Sequence, residues 1–179
     1  VDVSKSGEQQ NLKIEISCID DRFAIDGESI SDECCEMLFE LVFNPKLENG
    51  VFEKNVVESE KRLLCERLAA EKSDKRAYAK NRCEEIMFSD EVYGINRLGT
   101  IEAIEAVTPE SLYDAYNELL KTAVITMCVS GGRFSGAEKM FEAQMQNISR
   151  EPELNETLFV ESAEDVQCEK EQEDVKQGK

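Results

Sequence analysis

Ala123-Val-Ile-Thr-Met-Cys-Val-Ser130 is the stretch on which the fold class turns. It is near-continuously apolar and rich in β-branched residues, which predicts a central strand buried on both faces. Gly131-Gly132 follows as a turn, and a helix is predicted from about Gly136 to Ile148. Near the other end, Leu12, Ile14, Ile16 and Cys18 alternate with polar residues. Period-2 alternation is the mark of a half-buried strand. Ser6-Gly7 supplies a turn, and Val1 and Val3 form the stub of a partner strand. A strand at the first residue predicts more sheet upstream. The Ala123–Ser130 strand is expected to lie beside or close to the Asn11–Cys18 strand.

Helices fill the sequence between these strands. Residues 31–43 carry apolar side chains at 34, 35, 38, 39, 41 and 42, and Asn44-Pro45 ends the run. A second helix runs from about Glu53 to Glu71, with Val56, Val57, Leu63, Leu64 and Leu68 near helical spacing. Ser73-Asp74 caps a third helix that reaches about Phe88. Thr100 opens a short helix to about Ala106. Thr108-Pro109-Glu110 joins a cap, a Pro at the first helical position and an acid in the first turn. That helix runs to Lys121. The sum is an α+β fold with helices packed on one face of a mostly antiparallel sheet. The core is expected at Leu12, Ile14, Ile16, Leu38, Phe39, Val42, Val57, Leu64, Leu68, Tyr78, Ile86, Leu112, Tyr116, Val124, Ile125 and Met127.

Composition narrows the function. The 179 residues hold 21 Lys+Arg and 39 Asp+Glu, a net charge of 21 − 39 = −18, with no histidine. Nucleic-acid binding is disfavoured, because that task needs clustered cations against phosphates. No stretch of about 20 apolar residues offers a helical membrane span. Without imidazole the chain has no Ser-His or Cys-His dyad and no His-ligated zinc. The seven cysteines contain no C-x-x-C pair. They read as buried, reduced thiols in a cytoplasmic protein. Ser130-Gly131-Gly132 reads as a tight turn, since it lacks the spacing of a phosphate-binding loop. Acid pairs such as Glu84-Glu85 and Asp90-Glu91 read as solvated surface, since the ligand spacing of a calcium loop is missing. Residues 151–179 hold 10 acidic and 3 basic residues, net 3 − 10 = −7. Leu158-Phe159-Val160 is their one apolar cluster, and an extended connector is expected.

A series of landmarks gives the sequence a kinship. Asn44-Pro45-Lys-Leu-Glu-Asn-Gly-Val-Phe52 is followed by Val56-Val57-Glu58-Ser-Glu60-Lys-Arg-Leu-Leu-Cys-Glu66-Arg67-Leu68. Then come Asp74-Lys75 with Tyr78-Ala79, Met87-Phe88, Tyr93-Gly94-Ile95, Gly99 with Ile101-Glu102, and Thr108-Pro109-Glu110-Ser111-Leu112-Tyr113. In this order and spacing the chain resembles the pitrilysin/insulinase family of zinc peptidases, which includes the mitochondrial processing peptidases. It is most similar to the bacterial branch described as inactive zinc proteases. The resemblance implies that residues 1–150 are the later part of a first homologous half-domain. The strands and metal-binding helix of that half would lie upstream, and residues 151–179 would connect to a second half.

The resemblance also implies where chemistry would sit. Active members carry His-x-x-Glu-His on an early helix, which would precede Val1, and a third ligand, a Glu, seven residues after another family Glu. Glu60 matches that earlier helix acid. The third-ligand position is matched by Arg67, with Glu66 adjacent should the register slip by one. Replacing a ligand carboxylate with a cation turns attraction into repulsion, of order ~4 kcal/mol per unit pair at ~4 Å and an effective dielectric of ~20, and roughly twice that for a dication. No catalytic residue and no metal ligand is therefore assigned, and no cofactor is expected in this chain. The resemblance implies a catalytically silent homologue, either half of a peptide-binding clamshell or the non-catalytic partner of an active paralogous subunit. The expected partner is a peptide or protein, with neither nucleic acid nor membrane. One alternative is an active zinc-dependent endopeptidase whose metal motif lies upstream. A second is an acidic protein-interaction scaffold that meets basic partners.

Overall fold

A computed structural model describes residues 1–6, 9–25, 27–89, 91–131, 136–153 and 168–171. The fold is α+β, with most of its regular structure helical and a small antiparallel sheet. That sheet is a hairpin of β1 (Asp2–Ser6) and β2 (Gln9–Lys13). Six α-helices follow among the described residues: α1 (Ile30–Phe43), α2 (Lys54–Glu71), α3 (Lys75–Met87), α4 (Ile101–Ala106), α5 (Pro109–Thr122) and α6 (Ala137–Asn147).

Local chemistry explains the helix ends. The Asp74 carboxylate accepts from the backbone N–H groups of Arg76 and Ala77, starting α3. The Thr100 hydroxyl accepts from the Ala103 N–H, starting α4. Thr108 and Ser111 cap α5 reciprocally: the Thr108 hydroxyl accepts from the Ser111 N–H, and the Ser111 hydroxyl accepts from the Thr108 N–H. Ser111 fills the place that Glu or Gln takes in the commoner capping box.

Two strand expectations are corrected. The ladder of the hairpin ends at Lys13, so Ile14–Cys18 lies outside it, and Leu12 is 49% exposed. Its partner β1 spans Asp2–Ser6. Ala123–Ser130 forms no strand and pairs with no other segment among the described residues. It nevertheless keeps a period of two: Ala123, Ile125 and Met127 are half-buried, while Val124, Thr126 and Cys128 are exposed. One face meets protein and the other does not, so the segment is not buried on both faces. Gly7 and Gly132 of the expected turns, Asp90 of one acid pair, and the Leu158–Val160 cluster lie outside the described residues.

The chain divides into two compact units. The first comprises residues 1–2, 13–54 and 108–155. In it α1 packs on α6. Cys35, Phe39 and Ala137 form the buried centre, ringed by half-buried Phe43, Met127, Met140 and Phe141. Phe39 stacks on Phe43 with ring centroids 6.0 Å apart. A second aromatic group joins Phe52 edge-on to Tyr113 and Tyr116. The Tyr116 hydroxyl donates to the Val42 carbonyl at 2.9 Å, and burial pushes that phenol upward. Arg150 closes the end of α5, donating to the carbonyls of Leu120 and Ala123. The N–H groups of Glu151 and Glu153 donate to the Lys121 and Thr122 carbonyls. These contacts answer the carbonyls that every helix C-terminus leaves unpaired.

The second unit comprises residues 3–12, 55–107 and 156–179. Val57 of α2 and Ile104 of α4 are its buried apolar residues among those described. A 3-10 turn at Val92–Gly94 packs on α3. There Phe88 and Tyr93 meet edge-on at 4.8 Å. A side chain at Gly94 would collide with the Phe88 carbonyl, so this position needs glycine. Gly99 sits at φ +76°, where L-residues are strained.

Of the expected core, Phe39 and Val57 are buried. Leu12, Leu112 and Val124 are exposed instead, at 49, 39 and 59%. The two expectations on strands fail with the strands. Leu112 fails because α5 turns Tyr113 and Tyr116 inward, which carries Leu112 round to solvent. Cys35 is buried on the apolar stripe of α1, and Ile104 and Ala137 are buried without having been expected.

Candidate functional site

The helix α2 carries every residue to which the sequence attaches metal chemistry. Its inward stripe is Val57, Lys61, Leu64, Cys65, Leu68 and Glu71, all buried or half-buried. Glu60 and Arg67, seven residues apart, fall within about 20° of each other on a 3.6-residue helix. They share a face, and that face is a flank of the buried stripe: both residues are exposed. Arg67 has no ion-pair partner among the described residues. Glu66 projects opposite the buried stripe and is exposed. It faces Arg62 one turn back at 3.8 Å. The three residues are thus not brought together around a common point.

Lys61 is the polar group of α2 that spacing alone did not single out. Its side chain is 17% exposed, and Nζ donates to the carbonyls of Glu105 and Val107, each at 2.9 Å. It also meets Glu58 at 3.2 Å. The cation closes the C-terminus of α4, where the helix dipole is negative. This contact spans more than forty residues of sequence, so no local signal could reveal it.

A second polar group lies on α3. Arg82 donates to Glu85 one turn on at 3.1 Å and to Glu169 at 2.8 Å, and it also donates to Glu171. The Tyr78 hydroxyl donates to Glu171 at 2.7 Å. Tyr78 and Arg82 together hold the Glu171 carboxyl below its ordinary range, while the carboxylates push Arg82 up. The acidic segment 168–171 is therefore fastened to α3 by charge-assisted hydrogen bonds.

Among the described residues, no group of three or more His, Cys, Asp or Glu side chains is placed to hold a metal ion. The α2 residues that the resemblance singles out do not converge as zinc donors: Glu60 and Glu66 project in different directions, and Arg67 carries a guanidinium. No helix among the described residues is long and apolar enough to cross a membrane.

Comparison with known proteins agrees with a peptidase kinship at a coarse level. The chain is 26% identical over 183 residues to a protein of Bacillus subtilis (strain 168) described as "Probable inactive metalloprotease YmfF". The match takes in 99% of this chain and 42% of the relative, so the chain spans less than half of that protein's length. No family model matches, and no solved structure matches. The chain is metalloprotease-like in sequence.

Proposed function

We propose that this chain is part of a catalytically silent homologue of the pitrilysin/insulinase zinc peptidases, of the bacterial inactive branch. Arg67 carries the reading. It stands seven residues after Glu60 on one face of α2, where the resemblance places a metal-binding carboxylate. A positive charge at that position repels a divalent cation, and the neighbouring acid, Glu66, points elsewhere. A relative described as an inactive metalloprotease supports the same conclusion.

Residues 1–150 then belong to the first homologous half, and 151–179 lead to the second. Such a half, needing no zinc, serves to hold a peptide or protein in an extended form, or to stand beside an active paralogous subunit. Peptide backbone pairing to a sheet edge is the recognition mode this requires. Nucleic acid and membrane are not among its partners. The excess of acids over bases is consistent with the first, and seven thiols without a disulfide framework are consistent with a cytoplasmic location.

The reading is tested on the whole protein with a mixture of unstructured peptides. Peptides retained on the protein are expected to be recovered intact, with and without added zinc. Zinc-dependent cleavage products in the mass spectrum would overturn the proposal.

A further inference from the structure

Residues 168–171 and helix α3 belong to the same compact unit, and side chains make the contacts between them. Arg82 divides one guanidinium among three carboxylates. Its Nε donates to Glu171, its Nη2 to Glu169 at 2.8 Å, and its Nη1 to Glu85 of its own helix at 3.1 Å. One turn earlier on α3, the Tyr78 hydroxyl donates to Glu171 at 2.7 Å. Glu169 and Glu171 are two residues apart, the spacing at which an extended chain presents side chains to one side. Lys170 between them is exposed.

Charge, not apolar burial, holds this stretch. Cys168, Glu169, Lys170 and Glu171 are all exposed, so little surface is removed from water. The side chains of Arg82, Glu169 and Glu171 are 37, 51 and 35% exposed, and water and ions reach each pair. Exposed ion pairs are individually weak and are screened by salt.

We propose that Tyr78 and Arg82 form a reversible ionic latch for the Glu169–Glu171 stretch, which ties this acidic part of the chain to α3 and opens as ionic strength rises. Two opposing effects of salt decide the sign. The chain carries a net charge of −18, so distant acids repel the stretch, and salt relieves that repulsion. At about 0.15 M, however, charges beyond about 8 Å are already largely screened. Raising salt to 1 M shortens the screening length to about 3 Å, which is the scale of the contact pairs themselves. Above physiological ionic strength, added salt therefore acts mainly on the latch contacts and weakens them. Closing needs no second molecule, because donors and acceptors belong to one chain. The latch is independent of whether the protein cleaves peptides.

Lys170 is a built-in reporter, since trypsin cuts after lysine and must draw the residues on both sides of the bond into its cleft. Where opening and closing outpace cutting, the rate follows the fraction of open form. The whole protein is digested briefly at about 0.15 M and at 1 M salt, the screening range of the argument, and the new end at Lys170 is counted by mass spectrometry. At the lower salt, Arg82→Gln is expected to speed this cut about three- to tenfold, the combined weight of two exposed ion pairs. Tyr78→Phe keeps the ring and loses one hydrogen bond, so an increase of about twofold or more is expected. High salt is expected to speed the cut in the native protein and not in Arg82→Gln, a comparison that also cancels any effect of salt on trypsin. Glu85→Gln breaks the pair within α3, leaves both latch donors in place and is expected not to speed the cut. The proposal is overturned if Arg82→Gln is cut no faster than the native protein. It is equally overturned if salt speeds both alike, or if Glu85→Gln matches Arg82→Gln.

Discussion

Replacing Phe39 with alanine is expected to destabilise the first unit by about 3–5 kcal/mol, the range for emptying a buried phenylalanine site. Phe39 is 7% exposed at the centre of the group formed with Cys35 and Ala137. Its ring stacks on Phe43, and Met127, Met140 and Phe141 pack against the same group. Two effects add. The lost ring gives up its transfer free energy, and the hole persists because α1 and α6 are held apart by the side chains that remain. The core around it is small: few apolar residues of the described chain are buried. A domain's whole stability is only about 5–15 kcal/mol, so this one substitution removes a large share of it. Chemical denaturation followed by circular dichroism measures the change. Leu41→Ala on the same helix, at a side chain 63% exposed, is the control and is expected to shift stability by less than about 0.5 kcal/mol. Similar midpoints for the two variants would show that the centre of the unit lies elsewhere.

The second large effect is expected at Lys61→Met, a loss of about 1.5–3 kcal/mol, the range for hydrogen bonds made by a charged group. Methionine keeps the length of the stem and its packing, so the loss isolates the ammonium. The carbonyls of Glu105 and Val107 would both lose their donor, and Val107 is half-buried. A six-residue helix such as α4 has little stability of its own, because nucleation consumes most of what its few hydrogen bonds return. Hydrogen exchange at Ile104 and Val107, whose N–H groups bond to the Thr100 and Ile104 carbonyls, reports the end of α4 directly. Protection there is expected to fall in Lys61→Met and to be largely kept in Lys61→Arg. Unchanged protection in the methionine variant would mean that the cation does not hold the helix end.

These two residues also show what sequence can and cannot convey. Helix boundaries were legible because their causes are local. Asp74, Thr100 and Thr108 each lie within three residues of the N–H groups they cap. Phe39 was legible as core from its place on a broad apolar stripe. Ala123–Ser130 was not, since a strand requires a partner that local composition does not specify. Its alternation survives in which side chains are half-buried, while the ladder is missing among the described residues. Lys61 was not singled out by the sequence. Its role depends on carbonyls more than forty residues away. The same holds for Arg82 and the 168–171 segment. Several landmarks of the resemblance prove to have backbone reasons: Gly94 for close approach to Phe88, and Gly99 for its positive φ. They fix the backbone of this chain and carry no chemistry of their own. For the candidate site the sequence offered one heptad step, Glu60 to Arg67, and the structure places both on an exposed flank of α2.

Zinc content tests that heptad step most directly. The whole protein, dialysed against micromolar zinc and then against metal-free buffer, is expected to retain substoichiometric zinc by mass spectrometry of the metal. Arg67→Glu, which restores the family acid, is the informative companion, since any gain in retained zinc locates the missing ligand at this position. One zinc retained per unaltered chain, lost in Glu66→Ala, would contradict the account, because it would place a working carboxylate where the geometry of α2 puts none.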